Sequence, residues 1–298
     1  MEGAAYRPPR TEGGAARRTR EVAHARYPPG VTGLVEASTF ERVAPGEHRG
    51  TIDAGWAQGR GAYGGLVTAM LVRALEAEAP RGQSVTTITT AFTAPATEGP
   101  ASIHVESVRA GRNVSTFRAS LVREGATLAT ALATLARPRE GALEHHARPM
   151  PDVPGPAAVA DGPSEHYIPP FARRFSFRQT HGPRPFSGGG EARVAGWCRL
   201  HEAGVPFDAA LVSAILDAWP PAAVALSPAW CPVASVELTY HFFVPLPPLA
   251  GDAWVFYDAA AGHVAGGLAD EHATLWTAEG RPIATSRQLI ALFPPEPK

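Results

Sequence analysis

Asp217 is the residue best suited to chemistry in this chain of 298 residues. It stands between Ile215-Leu216 and Ala218-Trp219, in a stretch whose apolar residues Leu211, Ile215, Leu216 and Trp219 recur at helical spacing. A carboxylate there must be desolvated, hydrogen bonded, functional, or turned to a solvent face or cap, because isolated buried charge is costly. A second candidate is Gly59-Arg60-Gly61-Ala62-Tyr63-Gly64, which formally matches a dinucleotide-binding fingerprint. That fingerprint requires a preceding parallel strand and an acid about twenty residues on, at the end of a second strand. Glu76 and Glu78 stand at about that distance but fall inside a helical stretch, so nicotinamide binding is set aside. The glycines read instead as a helix entry with close backbone approach, where free amides near Gly64 and Gly65 can polarise a carbonyl. No Gly-x-Ser-x-Gly elbow offers a serine nucleophile, and no His-Glu-x-x-His or clustered Cys/His set offers a metal centre.

The elements that must position these residues come from an internal repeat. Glu124-Gly125-Ala126-Thr127-Leu128-Ala129-Thr130 matches Glu279-Gly280-Arg281-Pro282-Ile283-Ala284-Thr285 without a gap, and Phe92-Thr93-Ala94-Pro95 answers Phe242-Phe243-Val244-Pro245. After each proline comes a partly alternating run, Ile103 and Val105 or Trp254 and Phe256, then a glycine turn expected at Gly111 and Gly262. Ahead of the strands lies one strongly helical stretch per copy, expected over Leu66 to Glu78 and Asp208 to Val224, and before each helix a hairpin, Thr39 to Asp53 and Phe175 to Leu200. A helix too apolar to be exposed, followed by strands that can wrap it, describes a hotdog. The chain therefore reads as an α+β double hotdog, two fused halves each with an antiparallel sheet around a central helix. The halves are expected at 31–140 and 170–298, with a Pro-rich linker at 141–169 and a disordered leader at 1–30 whose place in the native protein stays open.

The repeat sharpens the reading of Asp217. The matching region of the first copy, Val67 to Met70, holds no acid. Counting ten residues back from the paired prolines sets Ser235 opposite Val85, and the terminal match sets Gln288 opposite Ala133. Three polar residues facing three apolar counterparts are what one working and one degenerate site would leave.

These residues resemble the double-hotdog acyl-CoA thioesterases of the thioesterase II type, from about Val31 to the C-terminus. The likeness is carried by Tyr63-Gly64-Gly65, Ala214-Ile215-Leu216-Asp217, Ala234-Ser235-Val236-Glu237-Leu238-Thr239 and Ser286-Arg287-Gln288. It implies that Asp217, Ser235 and Gln288 position and activate a water without a covalent acyl-enzyme. Ser235 stands where the best-known members have threonine, and Thr239, expected on the same strand face, is the fallback. Tyr63, Gly64, Gly65 and Thr239 are the expected substrate-binding residues. An apolar acyl tunnel is expected between helix and sheet, with CoA phosphates near Arg112 or Arg287, two residues that equally suit ordinary solvated charges. Asp258 and His263 have the five-residue step of hotdog hydratases but lack the intervening Asn-Pro and read as solvated residues flanking a glycine turn. The rival readings are a non-catalytic acyl-thioester-binding hotdog and an enoyl-thioester hydratase or dehydratase.

Composition agrees with a globular protein. Hydrophobic residues make up 45%, charged residues 18%, and the formal net charge is -1, which excludes a general polyanion binder and makes nucleic acid an unlooked-for partner. Cys198 and Cys231 are the only cysteines, read as buried thiols of a reducing compartment. No run approaches the roughly twenty apolar residues of a membrane span. The expectation is a cytoplasmic protein, without metal or cofactor, acting on acyl-CoA or acyl carrier protein thioesters; the resemblance adds a homodimer as one assembly, although a sheet edge alone gives no count.

Overall fold

The computed structural model describes residues 32–139, 141, 143, 145, 148–160, 162 and 168–294. The leader expected at 1–30 lies outside them. The first half runs α1 (Leu34–Ser38), β1 (Glu41–Ala44), β2 (Glu47–Ile52), β3 (Ala57–Gln58), β4 (Gly61–Ala62), α2 (Gly64–Ala77), β5 (Ser84–Phe92), β6 (Gly99–Arg109), β7 (Val114–Arg123) and β8 (Ala126–Ala136). The second runs β9 (Phe175–His181), β10 (Arg193–Leu200), α3 (Ala209–Leu216), β11 (Val233–Phe242), β12 (Val255–Ala265), β13 (Leu268–Thr277) and β14 (Pro282–Leu292).

Twelve of these strands form one sheet in the order β1-β2-β6-β7-β8-β5-β11-β14-β13-β12-β10-β9. Every pairing within it is antiparallel. Read inward from its two edges, the sheet repeats itself, and the copies meet at β5 and β11. The registers repeat too. β5 bulges between Val85 and Thr87 with Val85 opposite Leu135, and β11 bulges between Ser235 and Glu237 with Ser235 opposite Ile290. At the join Thr89 faces Thr239, and their hydroxyls lie 3.0 Å apart. A local twofold passes between these two residues.

Each half wraps its sheet around an apolar helix, as a double hotdog requires. α2 buries Gly65 through Val72 together with Ala74 and Leu75, and every residue of α3 is buried. Such helices offer water little polar surface, on α2 chiefly Arg73 and Glu76, so they are stable only where strands enclose them. α3 is much shorter than the helix expected over Asp208 to Val224. Asp208 caps its start by accepting from Leu211 N–H at 2.8 Å, but it stops at Leu216 with Asp217 as C-cap. Pro220 and Pro221 supply the reason: neither has an N–H to continue the ladder, and a proline disfavours helical backbone in the residue before it. A short 3-10 turn, Ala222–Leu226, follows.

The turn expected at Gly262 is also displaced. Gly262 lies within β12, where the register shifts between Ala261 and His263, and the chain reverses at Gly266-Gly267, whose φ values are 58° and 77°. That positive pair is what a two-residue hairpin demands. Residues 148–160 of the Pro-rich stretch lie against the second half, with Met150, Val153 and Val159 packed on Trp197, Phe256 and Trp276.

Candidate active site

Asp217 stands where α3 ends and α2 begins. Its backbone, at φ −111° and ψ 14°, closes α3, a position at which a negative charge opposes the helix dipole. Its side chain crosses to the other half and accepts the Gly65 N–H at 2.7 Å. The N-cap of α2, Tyr63, makes no capping hydrogen bond of its own, so the second half supplies the cap that the first lacks. The glycines are needed for this approach. A Cβ on Gly64 would lie 2.9 Å from Asp217 Oδ2, and one on Gly65 would lie 2.6 Å from Tyr63 and 3.0 Å from the Asp217 Cβ.

Gln288 links the remaining groups. Its Nε2 donates to Ser235 Oγ at 2.6 Å and to Asp217 Oδ1 at 3.2 Å. Gln288 lies in β14, paired with Leu238 on one side and Glu271 on the other, so its side chain points inward with theirs. Ser235 lies at the β11 bulge, which re-aims it toward the helices. Asp217, Ser235 and Gln288 share a pocket of about 30 Å³ with Gln58, Trp219, Pro221, Val233, Ala234 and Ile290. The accessible part of Asp217 faces this narrow space, so burial dominates its acidity. Desolvation pushes the carboxyl up to about 7, against the lowering influence of the Gly65 and Gln288 hydrogen bonds.

The other expected residues fall differently. Gly65 N–H is committed to Asp217 and is not a free donor. Tyr63 is buried, stacks on Phe171 at 4.0 Å, and donates its hydroxyl to Ala214 O at 3.1 Å, tying α2 to the last turn of α3. Thr239 does not share a face with Ser235. The bulge between Ser235 and Glu237 inserts one residue and reverses the alternation, so Thr239 pairs with exposed Arg287 and bonds to Thr89 on the sheet's outer face. Arg287 is itself held by Asp270 in a forked pair of 3.0 and 3.1 Å. At Asp217, where the acyl tunnel is expected between helix and sheet, the pocket measures about 30 Å³.

Two further expectations change. Asp258 and His263 both belong to β12, not to a turn. Asp258 is buried in an ion pair with Arg193 at 3.0 Å and, one residue from inward-facing Tyr257, it points away from the Asp217 pocket. The Gly59-to-Gly64 stretch is a β3–β4 hairpin leading into α2, with Gly59 at φ 64° and Gly61 pressed on Ala96 backbone, where a Cβ would lie 2.7 Å from its nitrogen. It brings Gln58 of the first half to the pocket of the second. No sequence signal marked Gln58. Among the described residues, no group of three or more His, Cys, Asp or Glu side chains is placed to hold a metal ion. Nor is any helix among them long and apolar enough to cross a membrane.

Comparison with known proteins agrees with this architecture. Residues 52–136 match the acyl-CoA thioesterase N-terminal domain and residues 145–292 the acyl-CoA thioesterase C-terminal domain. A conserved protein of unknown function with a hot dog fold from Alicyclobacillus acidocaldarius superposes with a TM-score of 0.81 at 24% identity, over 89% of this chain and 100% of that one. The tesB protein of Mycobacterium avium subs paratuberculosis gives 0.73 at 22% identity, over 88% and 98%. An acyl-CoA thioesterase II, TesB2, from Mycobacterium marinum gives 0.70 at 19% identity, over 89% and 99%. At these identities the structures share the fold. No curated protein sequence matches.

Proposed function

We propose that this chain, which belongs to the acyl-CoA thioesterase family, hydrolyses acyl-CoA or a related acyl thioester with a water activated by Asp217, Ser235 and Gln288. One observation carries the reading: a single amide, Gln288 Nε2, bonds to both Asp217 and Ser235 beside a pocket of about 30 Å³, room enough to hold water. A carboxyl raised to about 7 suits a general base working near neutral pH. Asp217 takes one proton from the water as its oxygen adds to the thioester carbon. The tetrahedral intermediate then breaks its C–S bond, and the proton held by Asp217 passes to the departing thiolate. Free acid and thiol are the products. With Gly65 N–H occupied, the Gly64 amide at the α2 entry is the donor assigned to the developing oxyanion.

The first half, proposed over 31–140, then serves as a degenerate partner to the catalytic half proposed over 170–298. Acyl carrier protein thioesters are proposed alongside acyl-CoA, with a homodimer as the assembly, and a reducing cytoplasm fits two free, buried cysteines. The experiment is a panel of short, medium, long, aromatic and branched acyl-CoAs and carrier-protein thioesters, read by thiol release. Turnover on at least one class is expected. Inactivity throughout, with acyl-CoA binding retained, favours a binding protein.

A further inference from the structure

Glu271 is a buried carboxylate that the reaction above does not use. It is 2% exposed, lies in β13 directly opposite Gln288, and points to the same interior face. Its Oε2 accepts the Ala222 N–H at 2.5 Å, and its Oε1 accepts the Tyr257 hydroxyl at 3.4 Å. Ala222 opens the 3-10 turn that follows Asp217, Trp219 and Pro221, three residues that line the pocket. Tyr257 stacks on Trp219 with ring centres 5.9 Å apart and planes 5° from parallel. The six-residue segment from Asp217 to Ala222 is thus pinned at one end by the Gly65 amide and at the other by Glu271.

The pseudo-symmetry says that the fold itself does not need an acid here. Ala133, the counterpart of Gln288, is paired with Phe117, so Phe117 occupies in the first half the place of Glu271. By the same registers Ile103 stands where the second half has Tyr257. Both are apolar and buried, as are Val85 and Ala133 opposite Ser235 and Gln288. The polar set of the second half therefore extends beyond three residues, and Glu271 belongs to it.

We propose that Glu271 is a positioning residue of the hydrolytic centre, fixing the Asp217–Ala222 segment and the Trp219–Tyr257 stack so that Asp217 meets Gln288. The proposal rests on the thioesterase reading for its kinetic consequence but not for its structural one. Burial, together with the charge on Asp217, pushes the Glu271 carboxyl up to about 7, although the Ala222 and Tyr257 hydrogen bonds pull it down. A neutral acid still offers both oxygens as acceptors, so a glutamine, which matches its shape and keeps one acceptor, is a fair substitute for the protonated form.

The test compares Glu271→Gln, Glu271→Leu and Glu271→Asp in the full chain. Turnover of the best acyl thioester from the panel, with kcat and KM separated, is read beside amide hydrogen exchange over 217–226. Glu271→Leu is expected to lower kcat at least tenfold with KM within about threefold, and to speed exchange at Ala222, while Glu271→Gln restores both to within about threefold. Should the leucine variant not fold, Glu271→Asp decides, because its shorter side chain withdraws from Ala222 and is expected to act in the same direction. Wild-type exchange and turnover in both the leucine and aspartate variants overturn the proposal, as does a glutamine variant as impaired as the leucine one. A wild-type protein inactive on every thioester sinks the hydrolase reading alone, and exchange at Ala222 then settles whether Glu271 pins the segment.

Discussion

Replacing Asp217 by asparagine is expected to cut hydrolysis steeply while strengthening the fold at high pH. The folded carboxyl is raised from an ordinary 3.8 to about 7, roughly three units, which corresponds to about 4 kcal/mol of differential stability. A raised carboxyl favours the protonated fold. The penalty is therefore absent below about pH 4, where the group is protonated folded and unfolded alike, and grows until it is complete above about pH 7. Asp217 keeps some exposure to the pocket, and asparagine presents an N–H₂ toward the donating Gln288 amide, so roughly 2 kcal/mol is the expected gain. At roughly 2–4 °C per kcal/mol this raises Tm by about 4–8 °C at pH 8, with no gain at pH 4. Thiol release should fall by about 10²–10⁴, on the order of 3–5 kcal/mol of barrier, because the group that accepts the water's proton is gone. Thermal unfolding at the two pH values and thiol release at pH 8 check both halves. Wild-type turnover in the variant refutes the assignment of the base, and a Tm difference independent of pH refutes the argument from burial.

Other expectations follow from neighbouring contacts. Wild-type kcat should rise with pH along a limb centred near 7, and a limb centred near 4 would mean that the base is not the buried Asp217. Ser235→Ala should lower kcat/KM about tenfold, the worth of one neutral hydrogen bond, and an unchanged value would remove Ser235 from the site. Gly65→Ala puts a Cβ 2.6 Å from Tyr63 and 3.1 Å from Ala214 O, so α2 must shift away from Asp217. A loss of about 1–3 kcal/mol in denaturant unfolding should accompany a fall in turnover, and a variant as stable and active as the parent would contradict the packing.

Much of this arrangement was legible because the chain carries its own control. Asp217, Ser235 and Gln288 stood out against apolar counterparts, and the geometry brings the three side chains to one pocket. What escaped was set by single-residue shifts that composition does not reveal. The bulge after Ser235 reverses the faces of β11, so simple alternation misplaced Thr239. Two residues separate the paired Arg123 and Ala126 in the β7–β8 turn and three separate the equivalent Thr277 and Arg281 in the β13–β14 turn, which moves the counterpart of Glu271 by one position, from Thr116 to Phe117, and hides the contrast. Helical periodicity ran on past Asp217 because alanine, tryptophan and valine obey it, although two prolines end the helix. Gln58 was invisible for another reason: it reaches the pocket from the opposite half.

The Gly65-to-Asp217 hydrogen bond has an evolutionary consequence. On the proposed division of labour, the first copy, without chemistry of its own, supplies the backbone amide on which the second copy's acid rests, so neither is expected to drift alone. Substitutions at the entry of α2 are expected to behave as intragenic modifiers of the activity proposed for a residue some 150 positions downstream, and residues 170–298 expressed separately would carry Asp217 without its anchor.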